Sequence, residues 1–164
     1  MNKGKIWVAN NDGVYLIKMV GDVRLTLCMS FDKFIKSMFA ADDYSAIIFD
    51  LTDAESIDST TLGLMAKIAL GAAQRKNLKP AVIATAPGMH HLLESMGFDE
   101  IFELMDDSPV EDLPATGSDC LETGEYIEQT IKQKVLEAHK ILMDLNRQNA
   151  ETFRDLVKTL EDSR

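Results

Sequence analysis

The residues best suited to chemistry are gathered in one stretch, Asp50-Leu51-Thr52-Asp53-Ala54-Glu55-Ser56-Ile57-Asp58-Ser59-Thr60-Thr61-Leu62-Gly63. Three consecutive hydroxyls, on Ser59, Thr60 and Thr61, follow Asp58 where a polar loop gives way to a helix. A helix N-terminus carries positive partial charge, which favours an acidic group beside it. Two readings of the turn stand side by side. In one, Asp58 or Ser59 caps the helix and does nothing more. In the other the turn is a site, because open α/β sheets place their sites where the carboxyl end of a strand turns into a helix.

The other reactive residues are scattered. His90 and His91 are adjacent and point to different helix faces, and His139 lies far away in the tail. Cys28 reads as a core thiol of the first helix and Cys120 as a more exposed one in an acidic loop; the pair matches no metal spacing. Neither a metal nor a cofactor is expected. The chain has no G-x-S-x-G elbow, no P-loop and no glycine-rich dinucleotide fingerprint. Nothing joins a base, an activated nucleophile and an oxyanion site, so no catalytic residue is assigned and an enzyme is not expected.

The elements that position the turn alternate between strand and helix. Ile6-Trp7-Val8 and Val14–Val20 form a hairpin across Asn11-Asp12-Gly13. Leu27, Phe31, Phe34, Ile35 and Met38 share a helix face. Ala46–Leu51 is apolar without alternation, as expected of a strand covered on both faces. After the polar loop, Leu62, Met65, Ala69, Ala72 and Ala73 make the stripe of a second helix. Ala81–Thr85 reads as a buried strand, Pro87 to Met96 as a helix stopped by Gly97, and Ile101–Leu104 as the last strand. Trp7 and the methionines are assigned to the core. This order predicts an α/β fold with a small, mostly parallel mixed sheet and helices packed on it.

Beyond about residue 105 the character changes. Residues 1–105 carry a net charge of −3 and residues 106–164 a net of −7. Residues 106–124 hold two prolines, two glycines and clustered acids, which reads as a linker, with a short helical turn at Ser108-Pro109-Val110-Glu111. Over 125–162, Ile127, Ile131, Val135, Ala138, Leu142, Leu145, Asn149, Phe153, Leu156 and Leu160 recur at helical spacing. Asn149 interrupts the stripe, and a break into two helices is expected at 146–149. The stripe exceeds what a 105-residue domain can cover. Either its first half packs on its own domain, or part of it pairs with a partner, such as a second copy of the chain.

Composition excludes several classes. The chain has 164 residues, 46% of them hydrophobic, and a formal net charge of −10, which disfavours phosphate backbones and anionic lipid. No apolar run reaches membrane-span length, and Met1-Asn2-Lys3-Gly4-Lys5 leads into no apolar signal core. A cytoplasmic protein binding neither nucleic acid nor membrane is expected.

Ile57-Asp58-Ser59-Thr60-Thr61-Leu62-Gly63, after a strand ending Phe49-Asp50-Leu51, resembles the signature of STAS domains, in particular bacterial anti-sigma-factor antagonists. Val20-Gly21-Asp22 and the stretch from Pro87-Gly88 to Gly97-Phe98 extend the likeness over about residues 5–105. The resemblance implies a STAS fold and a phosphorylation switch; the long C-terminal helical extension lies outside it. The acceptor it implies is Ser59, with Thr60 and Thr61 as lesser candidates. It implies partner binding by Asp22, Arg24, Asp53, Asp58, Ser59, Thr60, Thr61 and Leu62. The implied partners are an anti-sigma factor or serine kinase of the GHKL ATPase type and a PP2C-type phosphatase. Arg24 stands where the family often has an aspartate, and Thr61 where it commonly has glycine. A competing reading is a STAS scaffold or accessory subunit of a transporter or sensory complex that is never phosphorylated.

Overall fold

The computed structural model describes residues 3–106 and 118–163. Strand β1 (Lys5–Asn11) turns back on β2 (Val14–Val23) through Asp12 and Gly13, whose φ values are 52° and 92°. Positive φ at both residues is what a two-residue hairpin loop needs to match strand twist. A short 3-10 turn leads into α1 (Cys28–Ala41), and β3 (Ala46–Asp50) then pairs in parallel with β2. The remaining elements of the domain are β4 (Ala54–Ile57), α2 (Ser59–Lys76), β5 (Ala81–Ile83), α3 (Pro87–Ser95), α4 (Phe98–Ile101) and β6 (Glu103–Met105). With β7 (Ser118–Cys120) added from beyond the domain, the sheet runs β6-β5-β3-β2-β1-β7, and β4 pairs with the far end of β2. Its β2, β3, β5 and β6 are parallel, while β1 is antiparallel to both neighbours. The mostly parallel mixed sheet with packed helices is therefore present.

Five details differ from the sequence reading, the first being β4 itself, which forms within the stretch expected to be a polar loop. Strand β3 alternates after all: Ile47 and Phe49 are buried, while Ala46 and Ile48 stay half-buried, so only one face of the strand is fully covered. Trp7 belongs to the half-exposed face, because its neighbours Ile6 and Val8 take the inward positions of β1. Ile101 closes a helix and not a strand. Gly97, at φ 86°, ends α3 and lets one more turn form before Glu103 enters the sheet. Ser118–Cys120, within the stretch read as linker, form β7 against β1. The helical turn expected at 108–111 lies outside the described residues.

The tail forms two helices, α5 (Glu128–Met143) and α6 (Arg147–Asp162). The break is capped by Asn146, whose Oδ1 accepts from the Asn149 backbone at 2.7 Å. Asn149 is buried and donates through Nδ2 to the Met96 and Leu142 carbonyls, both at 2.9 Å. The residue that interrupts the apolar stripe thus ties the α5–α6 corner to the end of α3. Helix α5 packs on α2, and α6 folds back on α5. Its crossing with α2 is close at Gly63: a Cβ there would lie 2.6 Å from the Ala138 Cβ and press on the Ala138 carbonyl. Only glycine permits that approach. Ala138 and Leu142 are fully buried in the main core. Ile127 at the start of the stripe and Leu156 near its end remain exposed.

Candidate functional site

The site is built where β2, β4 and α2 meet. The backbone of Gly21 adopts φ 74°, beside a bulge in the β2–β4 pairing, and its N–H donates to the Asp53 carbonyl at 3.0 Å. A positive φ there suits glycine alone among common residues. Beyond the bulge, Asp22 pairs with Ser56 and Val23 with Ile57, and the Asp58 N–H donates to the Val23 carbonyl at 3.0 Å. This pairing brings the end of β2 against the loop before α2.

Asp58 is the N-cap of α2. Its Oδ1 accepts from the Thr61 backbone at 2.9 Å and its Oδ2 from the Leu25 backbone at 2.6 Å. One carboxylate therefore satisfies a free donor of the helix and fastens the β2–α1 connection to it. Ser59 follows as the first helical residue and is partly exposed, whereas Thr60, Thr61 and Leu62 are buried. Of the three hydroxyl residues, Ser59 alone has an accessible side.

The surrounding charges are paired. Arg24 Nε lies 2.6 Å from Asp22 Oδ2, and Asp22 Oδ1 accepts from the Ser56 hydroxyl. The Ser56 and Arg24 hydrogen bonds hold the Asp22 carboxyl below the usual aspartate range. Asp53 is bridged by Lys18 at 3.0 Å. The structure thus gathers Asp22, Arg24, Asp53 and Asp58 around the turn that begins with Ser59.

Two groups at the site were not foreseen. The Ser59 Oγ lies 2.7 Å from His139 Nε2, and His139 Nδ1 lies 2.6 Å from the Val135 carbonyl. A carbonyl only accepts, so Nδ1 carries the imidazole proton and Nε2 accepts from the serine hydroxyl. His139 is 2% exposed and packs edge-on against Phe153 of α6. The signal was present in the spacing, since His139 falls four residues after Val135 and three before Leu142.

The second group centres on Asp32 of α1, also 2% exposed. Lys67 of α2 and Lys134 of α5 each reach it at 2.9 Å, and Lys36 at 3.2 Å. Glu137 closes the network on Lys67 at 2.7 Å. Burial pushes the Asp32 carboxyl up, but the Lys134 and Lys67 hydrogen bonds outweigh it and its pKa lies below the ordinary value.

The remaining reactive residues lie elsewhere. His90 pairs with Glu94 on α3, beside an exposed His91. The Cys28 thiol is buried and pushed up to about 11, chiefly by burial and then by the charges of Asp58 and Asp32. Cys120 is half-buried in β7. Among the described residues no cluster of three or more His, Cys, Asp or Glu is arranged to hold a metal. No helix among them is long and apolar enough to cross a membrane.

No curated protein sequence matches the chain. Among solved structures, the Thermotoga maritima protein TM1081 is 22% identical, with a TM-score of 0.53 over 61% of this chain and 85% of its own. An anti-sigma factor antagonist from Mycobacterium paratuberculosis is 19% identical, with a TM-score of 0.51 over 64% of this chain and 87% of its own. The anti-sigma factor antagonist SpoIIAA in its unphosphorylated form is 13% identical, with a TM-score of 0.52 over 63% and 89% of the two chains. At these identities the likeness is one of fold. Residues 5–111 match the sequence profile of the STAS domain, and the chain therefore belongs to the STAS domain family.

Proposed function

We propose that this protein is an anti-sigma-factor antagonist in a cytoplasmic partner switch. Unphosphorylated, it binds an anti-sigma factor or kinase of the GHKL ATPase type; phosphorylation at Ser59 releases it, and a PP2C-type phosphatase resets it. The domain through about residue 105 is the binding unit, followed by the stretch 106–124, whose Ser118–Cys120 joins the sheet as β7, and by the helices over 125–162. The observation that carries this reading is the placement of Ser59. It is the partly exposed first residue of α2, directly after the N-cap Asp58 and within a turn formed by Asp22, Arg24 and Asp53. Binding, and not turnover, is the activity.

The chemistry suits a gate at an interface. In the kinase reaction the Ser59 Oγ–P bond forms as the terminal phosphoanhydride bond of ATP breaks. The hydroxyl proton passes to a base of the kinase, and ADP leaves. The product adds about −1.5 to −2 charges to a turn that already holds Asp53, Glu55 and Asp58. The N-terminus of α2 stabilises that charge by about 0.3–1 kcal/mol, so the fold survives. A partner packed on the turn must desolvate the phosphate and set it against acidic neighbours, which weakens capture.

The test is the intact mass of the protein from its native host, beside Ser59→Ala, in growth and under stress. A gain of about 80 Da that the variant lacks is the expected result. Failure to find a phosphoform in any condition would overturn the switch and leave the constitutive scaffold, with Ser59 held by His139 as a structural contact.

A further inference from the structure

We propose that the α5–α6 pair is an intramolecular occupant of the Ser59 face, and that a phosphate on Ser59 unseats it. The proposal rests on Ser59 being the modified residue, and it concerns the tail that lies beyond the matched domain.

Three contacts place α5 on this face. Ala138 sits in the notch left by Gly63, one turn along α2 from Ser59. His139 accepts the Ser59 hydroxyl hydrogen. Lys134 caps Asp32 from above, beside the ion pair of Glu137 with Lys67. Together they cover the α5 side of the first half of α2 and leave the Asp22, Arg24 and Asp53 side of the turn open, which is the side the unphosphorylated chain offers to a partner.

The cover is built so that phosphate and α5 exclude each other. Esterification replaces the hydroxyl hydrogen on Oγ with phosphorus, so His139 Nε2 loses its donor. Three further oxygens must then fit beside an imidazole that starts 2.7 Å away and is almost fully enclosed. On the His139 side the packing is close and yields no such volume, so the only room for the phosphate is the open side of Ser59. The ring's Nδ1–H is committed to the Val135 carbonyl and faces away from Ser59. The cations of the turn and of its α5 side are also engaged: Arg24 by Asp22, Lys18 by Asp53, and Lys134 and Lys67 by Asp32 and Glu137.

Release is mechanically feasible. Strand β7 anchors the chain to β1 through Ser118–Cys120, and the Leu121 N–H donates to the Ile6 carbonyl at 2.9 Å. The Ser30 hydroxyl donates to the Glu122 carbonyl, and residues 123–127 then run exposed to the start of α5 and serve as the hinge. Asp32 retains Lys67 and Lys36 when Lys134 leaves. The Asn149 bond to Leu142 stays within the pair, whereas the Asn149 bond to Met96 and the Asn146 bond to Ser95 tie the corner to α3 and break with the docking.

The experiment installs phosphoserine at position 59 of the full chain during translation and follows amide hydrogen exchange. The expected result is exchange at least about tenfold faster across α5 and at 60–66 of α2, with α1 and β3 still protected. Ser59→Ala, which removes the hydrogen bond without adding bulk or charge, is expected to keep α5 protected. Unchanged protection of α5 in the phosphoprotein would overturn the proposal, because the phosphate would then be accommodated in place. Uniform loss of protection through β3 would also overturn it, because the pair would not be separable from the domain. Release by Ser59→Ala alone would overturn the assignment to phosphate. Since the phosphate is installed, absence of a phosphoform in the host would defeat only the kinase-controlled reading.

Discussion

The two halves of α2 are built from the same helix and meet different surroundings. From Thr60 to Ala66 every residue is buried, because the sheet lies on one side and α5 on the other. Beyond Ala69 the helix returns to ordinary behaviour. Ala72 faces inward, while Leu70, Ala73, Gln74, Arg75 and Lys76 face out. The outer flank of this second half is dressed by side chains of the domain itself, with Arg75 stacked on Phe39 at 4.5 Å and Lys76 over Tyr44 at 4.0 Å. A helix packed on a sheet needs only one apolar face. The extra burial is therefore supplied by the appended helices, and it is confined to the end that begins with Ser59.

The comparison is broken most directly at the two glycines of the helix. Leucine at Gly63 would drive into the Ala138 backbone, which cannot rotate away, so α5 must lift. We expect Gly63→Leu to cost about 3 kcal/mol in urea unfolding, although leucine is the better helix former. A Cβ at Gly71 meets only the Phe39 ring, 2.7 Å from its Cζ, at the far end of a side chain that can swing. Gly71→Ala should fall within about 1 kcal/mol of the parent, its helix-propensity gain set against the ring's displacement. Equal costs at the two sites would mean that the α5 crossing adds nothing.

The Asp32 network sharpens the comparison through pH. Its carboxyl has a depressed pKa in the fold, so its stabilisation is complete above the unfolded value of about 3.9 and is lost as pH falls through the lower folded value. Asp32→Asn leaves Lys67 and Lys134 facing a neutral amide. Full burial of such charges would cost more, but both lysines are partly solvated, and about 2 kcal/mol at neutral pH is expected. The parent should lose stability below about pH 4 and the variant much less, read by thermal unfolding across an acid series.

A smaller effect belongs to the cap. Asp58→Ala removes the acceptor for Thr61 and Leu25 and should lower stability by about 1 kcal/mol, with faster exchange at both amides. That residue also marks how far the sequence could be read. The polar loop after β3, the acid before three hydroxyls and the start of α2 were legible because capping is local chemistry. The strands β4 and β7 were not, since four- and three-residue strands carry too little periodicity and take their partners from distant segments. Trp7 reads as core from the sequence, yet strand alternation gives that side to Ile6 and Val8. His139 is the instructive miss. Its spacing from Val135 and Leu142 sets it beside the apolar stripe, but only the fold of the tail onto α2 brings it to Ser59, eighty positions earlier.

The smallest expected effect tests whether the second half of α2 is free of such a contact. Leu70 lies seven residues after Gly63, two turns along the same face. It is 40% exposed and lines an open groove with Ala73, Asn77 and Ile101. Glutamine matches leucine in helix propensity, so Leu70→Gln isolates burial from backbone preference. With so much of the side chain already in water, the change should stay within about 0.5 kcal/mol by denaturant unfolding. A loss comparable to that of Gly63→Leu would mean that this face is also covered in solution, and that the contrast between the two halves of the helix does not separate the domain from its appendage. A near-zero value beside a large one at Gly63 would leave the cover of α2 localised at the turn that carries Ser59.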